Sequence, residues 1–398
     1  MAEALIARRN LTALICAQAL GAAGPPIVIS LGGLVGQMLA PVKALSTLPV
    51  SLYTIGLALS TIPISRFIQS AGRRTTYLAG CTAAMAAGLF AAYGIWIASF
   101  PIFCIGAAVA GINGACVQTY RFAAADTVLP ARRAQAISLV MMGGLAAAVI
   151  GPQTVIWTRD VIPGIAFAGS FIAQAGLALL AMLVLSFLRA PAVVAQSTSG
   201  GRPLSEIARS PRFMTAAGAG MVSYGTMGFV MTAAPMAMVG CGHSIGEAAL
   251  GIQWHVLAMF APSIFTGQLI RRFGEQRVTI AGFVLLVCSA SVALIDTSLA
   301  SFWVCLVLLG FGWNLSFLGA TSMVAGCCEP KERPKVQGLN DFLVFGTSAI
   351  ASLSAGGFMQ TAGGWTTVAW VAIVLVVAMT IRFSATAYFS GKPKMVGA

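Results

Sequence analysis

The 398 residues are 58% hydrophobic and 8% charged, with a net charge of +13, and their mean hydropathy is +0.91. Soluble domains carry about 25% charged residues, so this chain cannot cover a water-facing surface, and a soluble fold is excluded. The positive charge is divided among short segments instead of gathered in one patch, which argues against a nucleic-acid partner. Apolar runs of about 20 residues, long enough to cross a hydrocarbon core of about 30 Å, recur along the chain. Lipid leaves only helices and closed barrels able to pair every backbone group, and runs without alternation select helices. The expected class is an all-α polytopic membrane protein that meets the lipid bilayer along most of its surface.

Twelve spans are predicted in chain order. The first, 11–35, contains Gln18 and the interruption GAAGPP at 21–26. Spans 45–65 and 75–97 flank SRFIQSAGRR at 65–74. The fourth, 101–122, holds Asn113, Gln118, Tyr120 and Arg121, and Gly114, Gln118 and Arg121 share one helical face by i, i+4, i+7 spacing. Asp126 follows Arg121 five residues later, where a gate pair and a plain surface pair read alike. The fifth and sixth are 135–156, with GGLAAAVIGP at 143–152, and 165–188. Residues 189–212 form the long polar connection, whose PLSEIARSPRF portion suits a short amphipathic surface helix. The seventh, 213–238, carries Ser223, Tyr224, Thr226, Thr232 and Pro235; the eighth, 250–270, carries His255; the ninth is 278–295. The tenth, 300–323, contains GWNLSFLGATS with Trp313, Asn314 and Thr321; the eleventh, 337–359, contains Asp341; the twelfth is 366–388.

Twelve crossings place both termini on one side. Arg8, Arg9, Arg73, Arg74, Arg132, Arg133, Arg202, Arg271, Arg272, Lys331 and Lys335 fall on that side, against Lys43 and Arg159 on the other. The positive-inside rule makes the basic side cytoplasmic. The first apolar run is long enough to stay as a span, so no cleaved leader is expected. The expected organisation is a six-helix bundle at 1–188, a cytoplasmic loop at 189–212 and a second six-helix bundle at 213–398.

The two halves echo each other. GIN at 111–113 matches GWN at 312–314 with an offset of 201, and Pro130-Ala-Arg-Arg133 matches Pro330-Lys-Glu-Arg333 with an offset of 200. SRFIQSAGRR at 65–74 matches GQLIRRFGEQ at 267–276 with an offset of 202. Repeats of this kind mark many transporter folds. The loop after the second span resembles the G-x-L-x-D-R-x-G-R-R motif of the major facilitator superfamily: Gly72, Arg73 and Arg74 match its end, and Gly267, Leu269, Arg272 and Gly274 match the second copy. Ser65 replaces the leading Gly and Gln69 stands at the acid position, which puts the family's cytoplasmic latch in doubt. GGLAAAVIGP resembles the Gly-rich G-P motif of exchangers without its following glycine pair. GWNLSFLGATS, VQGLNDFLVFG at 336–346 and SYGTMGFVMTAAPMAMVGCGHS at 223–244 resemble a bacterial branch of the superfamily that includes riboflavin importers.

The resemblance implies two pseudo-symmetric six-helix bundles, a bacterial inner-membrane location and a cavity lined by spans one, four, seven and ten. The polar residues within those spans give Gln18, Asn113, Gln118, Tyr224, Trp313 and Asn314 as candidate substrate-binding residues. Each has an alternative: a membrane Asn can serve a neighbouring helix, for about 0.6 kcal/mol on average, and Trp can anchor at an interface. Gating or coupling candidates are Arg121, Asp126, Asp341, His255, Gly72, Arg73, Arg272 and Gly274. Asp341 stands as a candidate proton site or as a helix N-terminal charge, worth roughly 0.3–1 kcal/mol in the second role. His255 is a packed polar side chain or a proton carrier.

Nine cysteines and two histidines provide no metal-ligand spacing and no clustered nucleophile or base, so no metal, cofactor or enzyme activity is expected. No phosphate-binding Gly-rich Lys motif is present, which argues against direct ATP drive. The expected function is alternating-access transport of a small organic solute, for which the resemblance implies riboflavin uptake. The alternatives are a drug or metabolite exporter exchanging for protons, and a transporter-like sensor that binds without moving its ligand. A coupling proton has little support, because spans one through six hold no embedded carboxylate.

Overall fold

A computed structural model describes residues 2–128, 133–189, 202–329 and 332–390, and all regular structure among them is helical. Helices α1 (Ala2–Gly21) and α2 (Gly24–Leu39) make the first crossing. They part at Ala22 and Ala23, and Pro25 falls in the first turn of α2, where its missing N–H has no intrahelical partner to lose. A 3-10 turn, Lys43–Leu45, leads into α3 (Leu48–Trp96). A straight helix of 49 residues would run about 74 Å, more than twice the hydrocarbon core. Gly72, at φ 81° and ψ 163°, divides α3 into two crossings. That backbone region is accessible essentially only to glycine.

The first half continues with α4 (Phe100–Asp126), α5 (Arg133–Thr158) and α6 (Ala168–Ser186). The second opens with the short α7 (Leu204–Arg209), then α8 (Pro211–Gly240). Helices α9 (Ile245–Phe260) and α10 (Ser263–Phe273) form one crossing bent by 41°. Helices α11 (Glu275–Val292), α12 (Leu299–Ala325), α13 (Arg333–Met359) and α14 (Gly364–Ser390) complete it. With the bent pair taken as one crossing and α3 as two, the described helices make twelve. The eighth crossing extends beyond the expected 250–270 at both ends: it starts at Ile245 behind a capping box of Ser244 and Glu247, and it ends in IRRF, which is too polar for hydropathy to register.

The break after α10 repeats the break in α3. Gly274 has φ 84° and ψ 152° and lies 202 residues after Gly72. No heavy atom lies within 4 Å of a Cβ built on either glycine, so conformation and not space demands Gly there. The PARR and PKER repeats fall partly at 129–132 and 330–331, outside the described residues.

Within the first half α3 packs on α4 and α6, and α1 on α5; within the second α8 packs on α12 and α13, and α11 on α12. The halves meet where α3 faces α13, α5 faces α9 and α2 faces α8. The glycines of GGLAAAVIGP serve this packing: a Cβ on Gly143 would lie 2.6 Å from the Ile15 carbonyl oxygen, and one on Gly151 2.6 Å from that of Ala23. Small residues let helices approach where lipid gives no hydrophobic drive to associate. Both helices of the interrupted first crossing therefore seat against α5.

Candidate functional site

A cavity of about 290 Å³ lies between the halves, at the small end of the roughly 300–1,000 Å³ usual for ligand pockets. Its wall runs from Thr232 and Ser352, deep in the bundle, to Arg121 and Asp341 nearer the face that carries the termini. On the opposite face the halves are joined. Thr47 donates from Oγ1 to the Leu353 carbonyl at 3.1 Å and accepts from the Gly356 N–H at 3.2 Å. Gln153 Nε2 donates to Gln253 Oε1 across the same seam at 3.0 Å. The cavity thus lies on the terminal side of a closed seam.

Aromatic rings dominate one wall. Tyr224 stands edge-on to Trp313, Phe317 and Phe345, with centroids 5.5, 5.3 and 5.3 Å away. Trp313 and Phe317 are stacked at 5.1 Å, as i, i+4 neighbours on α12. Tyr53 and Phe260 add further rings to the lining. Such faces and edges suit a flat conjugated ring. Polar groups stand around them: Gln18, Thr54, Thr61, Gln118 and Ser348. The GAAGPP break also faces the cavity through Gly21, Ala22, Pro25 and Pro26.

Gln18, Gln118, Tyr224 and Trp313 therefore share one lining with Arg121 and Asp341. Arg121 comes from the first half and Asp341 from the second, and each acts electrostatically on the other. The Arg121 guanidinium also lies 4.9 Å from the Phe122 ring centroid. Asp341 is nine residues into α13 and accepts from Asn340 Nδ2 at 3.3 Å, so it stands in the cavity wall and not at the first turn. The side chain of Asp126 lies outside the described ones.

Three candidates stand behind the wall. Asn314 is fully buried: its Nδ2 donates to the Met259 carbonyl at 2.6 Å and to Ser263 Oγ at 2.7 Å, and its Oδ1 lies 2.6 Å from Thr266 Oγ1. Both of its donors and one acceptor site are engaged by α9 and α10, which corrects the expectation of an amide turned to the cavity. Asn113 is 8% exposed, lies outside the lining, and its Oδ1 has no hydrogen-bond partner among the described residues. His255 is fully buried, with Nδ1 2.8 Å from the Leu306 carbonyl oxygen, tying α9 to α12. Nδ1 carries the proton in that contact, since a carbonyl can only accept.

The loop candidates Gly72, Arg73, Arg272 and Gly274 lie apart from the cavity. Arg73 Nη1 donates to Tyr77 Oη at 3.1 Å, and Tyr77 meets Thr119 Oγ1 of α4 at 3.0 Å. Arg272 lies over the Phe273 ring at 5.3 Å. A second terminal-face cluster escaped the sequence reading: the Glu332 carboxylate accepts from Arg202 N at 2.7 Å, Arg202 Nη2 at 2.9 Å and Glu329 N at 3.0 Å. These donors hold its carboxyl down at about 2. It docks the segment before α7 onto the second half. Nothing in spacing joins residues 130 positions apart.

Phe317, Phe345 and Tyr53 were also missed. The i, i+4 relation to Trp313 was a usable signal for Phe317. Phe345 and Tyr53 belong to the eleventh and second crossings, which line the cavity along with the four that the resemblance named.

Two bundles of six crossings closed around a cavity at their seam define a multi-pass membrane transporter fold. The profile described as Major Facilitator Superfamily matches residues 11–319 and 216–397, and the chain belongs to that family. It is 56% identical over 384 residues to the riboflavin transporter RfnT of Brucella anthropi, covering 94% of this chain and 96% of that one. It is 28% identical over 359 residues to the uncharacterized transporter YddS of Bacillus subtilis, covering 85% of this chain and 81% of the relative. In fold it is similar to a crystal structure of a mutant of the nucleoside transporter NupG, with TM-score 0.74 at 12% identity, covering 94% of this chain and 99% of that one.

Proposed function

We propose that the chain imports riboflavin across the bacterial inner membrane by alternating access, with both termini in the cytoplasm. The observation that carries the substrate is the aromatic wall of Tyr224, Trp313, Phe317 and Phe345 facing a rim of amides and hydroxyls. An isoalloxazine ring offers faces to stack and a polar edge to hydrogen-bond, and a ribityl chain offers hydroxyls. The 56% identical riboflavin transporter supports the same reading. Gln18, Gln118, Tyr224 and Trp313 bind the substrate, and Arg121 with Asp341 closes or couples the terminal end of the path. The excess of Arg and Lys on the terminal face supports the orientation.

In this cycle the seam of Thr47, Gln153, Gln253, Leu353 and Gly356 shuts the far face while the cavity communicates with the cytoplasm. Parting that seam and closing the terminal side would expose the same residues outward. Growth of a riboflavin auxotroph on limiting vitamin, with labelled riboflavin accumulating in the cells, is the expected outcome. Drug resistance without accumulation would instead favour the exporter reading that GGLAAAVIGP suggests.

A further inference from the structure

The bend between α9 and α10 has a physical cause and a specific repair. Pro262 has no N–H to give to the preceding turn. Main-chain bonding resumes from Ile264 N to the Ala261 carbonyl at 3.4 Å and Phe265 N to the Pro262 carbonyl at 2.9 Å. The Met259 carbonyl faces the break, and lipid provides no water to satisfy such a group. Asn314 fills that role from α12, bonding Met259 O above the break and the Ser263 and Thr266 hydroxyls below it. Thr266 Oγ1 is also 2.8 Å from the Pro262 carbonyl, so its one proton serves the two acceptors in turn. Only an amide of this length offers two donors and an acceptor at once.

The bend lies where the two ends of this crossing do different things. Above it, α9 packs on α12 of its own half and is also docked on α5 of the other half through Gln253 and Gln153. At it, Met259, Phe260 and Ser263 line the cavity. Below it, α10 packs on α11 and α12 of its own half. We propose that Asn314 is a positioning residue that holds the α9–α10 angle, so that α9 stays sealed against α5 while α10 belongs to the second half's terminal side. It acts on transport through Met259, Phe260 and Ser263 and not by touching substrate. Losing it slackens the joint between seal and cavity, slowing the exchange of states more than it weakens binding.

The test uses the full chain with the exposed Cys16, Cys241 and Cys288 replaced by Ser. Spin labels at Trp254→Cys and Arg271→Cys, about 25 Å apart along the helix, report the angle without any substrate. The parent gives one narrow distance, and Asn314→Ala broadens or lengthens it. In proteoliposomes Asn314→Ala is expected to lower the maximal rate of riboflavin transport at least tenfold while equilibrium riboflavin affinity stays within threefold. Thr266→Val, which removes one of the three bonds, moves both readouts in the same direction by less and covers the case in which Asn314→Ala does not fold. An unchanged distance distribution overturns the inference, as does a parallel tenfold loss of affinity and rate. The kinetic arm rests on the substrate reading above; if the parent neither binds nor carries riboflavin, that reading fails while the distance arm still judges this one.

Discussion

Gly72 and Gly274 break the chain at equivalent points of the two halves with nearly one backbone geometry, φ 81° and ψ 163° against φ 84° and ψ 152°. Asn113 and Asn314 are equivalent by almost the same offset and do different things. One leaves its Oδ1 without a partner among the described residues, and the other is bonded to three residues of a bent neighbour. The difference is physical. A glycine in a region closed to other residues answers to its own backbone, so a duplicated segment keeps the requirement. An amide answers to whichever helices face it. At the offset of 202 that aligns this segment, Thr61 stands where the second half has Ser263, but its hydroxyl donates to the Ala58 carbonyl of its own helix at 2.8 Å, and Ile64 stands where the second half has Thr266.

The largest expected effect tests the symmetric pair. Gly72→Ala and Gly274→Ala should each cost about 1–3 kcal/mol of stability, because strain and not crowding is imposed. Thermal unfolding in detergent would show two similar losses, and a neutral change at either site would break the equivalence. The asymmetric pair follows. Asn314→Ala orphans the buried Met259 carbonyl and should cost about 1–3 kcal/mol, whereas Asn113→Ala, which removes an amide whose Oδ1 has no partner among the described residues, should cost no more than about 1 kcal/mol, the centre of the range for single substitutions. Equal losses on the same unfolding assay would make the amides true mates.

Recognition is expected to be as lopsided. Trp313→Ala or Tyr224→Ala should raise the KM for riboflavin about tenfold, since each aromatic contact is worth roughly 0.5–1.5 kcal/mol beyond its buried area. Gln18→Ala, in the first half, should raise it about threefold, the worth of one hydrogen bond near the low end of roughly 0.5–1.5 kcal/mol. Initial uptake rates across riboflavin concentrations check both. The smallest effect concerns the Glu332 clamp. Its carboxyl is held at about 2 against an ordinary value of 4.5, so the clamp's contribution is whole above pH 4.5 and is lost as pH falls through 2. The unfolding midpoint of the parent should fall more steeply across that window than that of Glu332→Gln.

Much of this was legible before any coordinates. Periodicity and length delivered the crossings, and the repeat of SRFIQSAGRR in GQLIRRFGEQ paired the two loops, while their shared glycine backbone conformation came from the structure. The aromatic wall was half legible: Tyr224 and Trp313 stood out by type, but Phe345 joins them from the eleventh crossing, and no spacing rule relates it to either. His255 and Asn314 looked alike as polar residues in apolar spans. Both proved to be ties between the eighth and tenth crossings, set behind the cavity lining.

By itself the amino-acid sequence determined what the solvent and the local backbone impose: helices long enough for a bilayer, a basic face, and glycines at positive φ. Only the tertiary structure decided which polar groups meet the cavity and which serve a neighbouring helix. A buried amide or carboxylate is costly to leave without a partner, and partners such as Met259 for Asn314 and Arg202 for Glu332 lie 55 and 130 residues away along the chain.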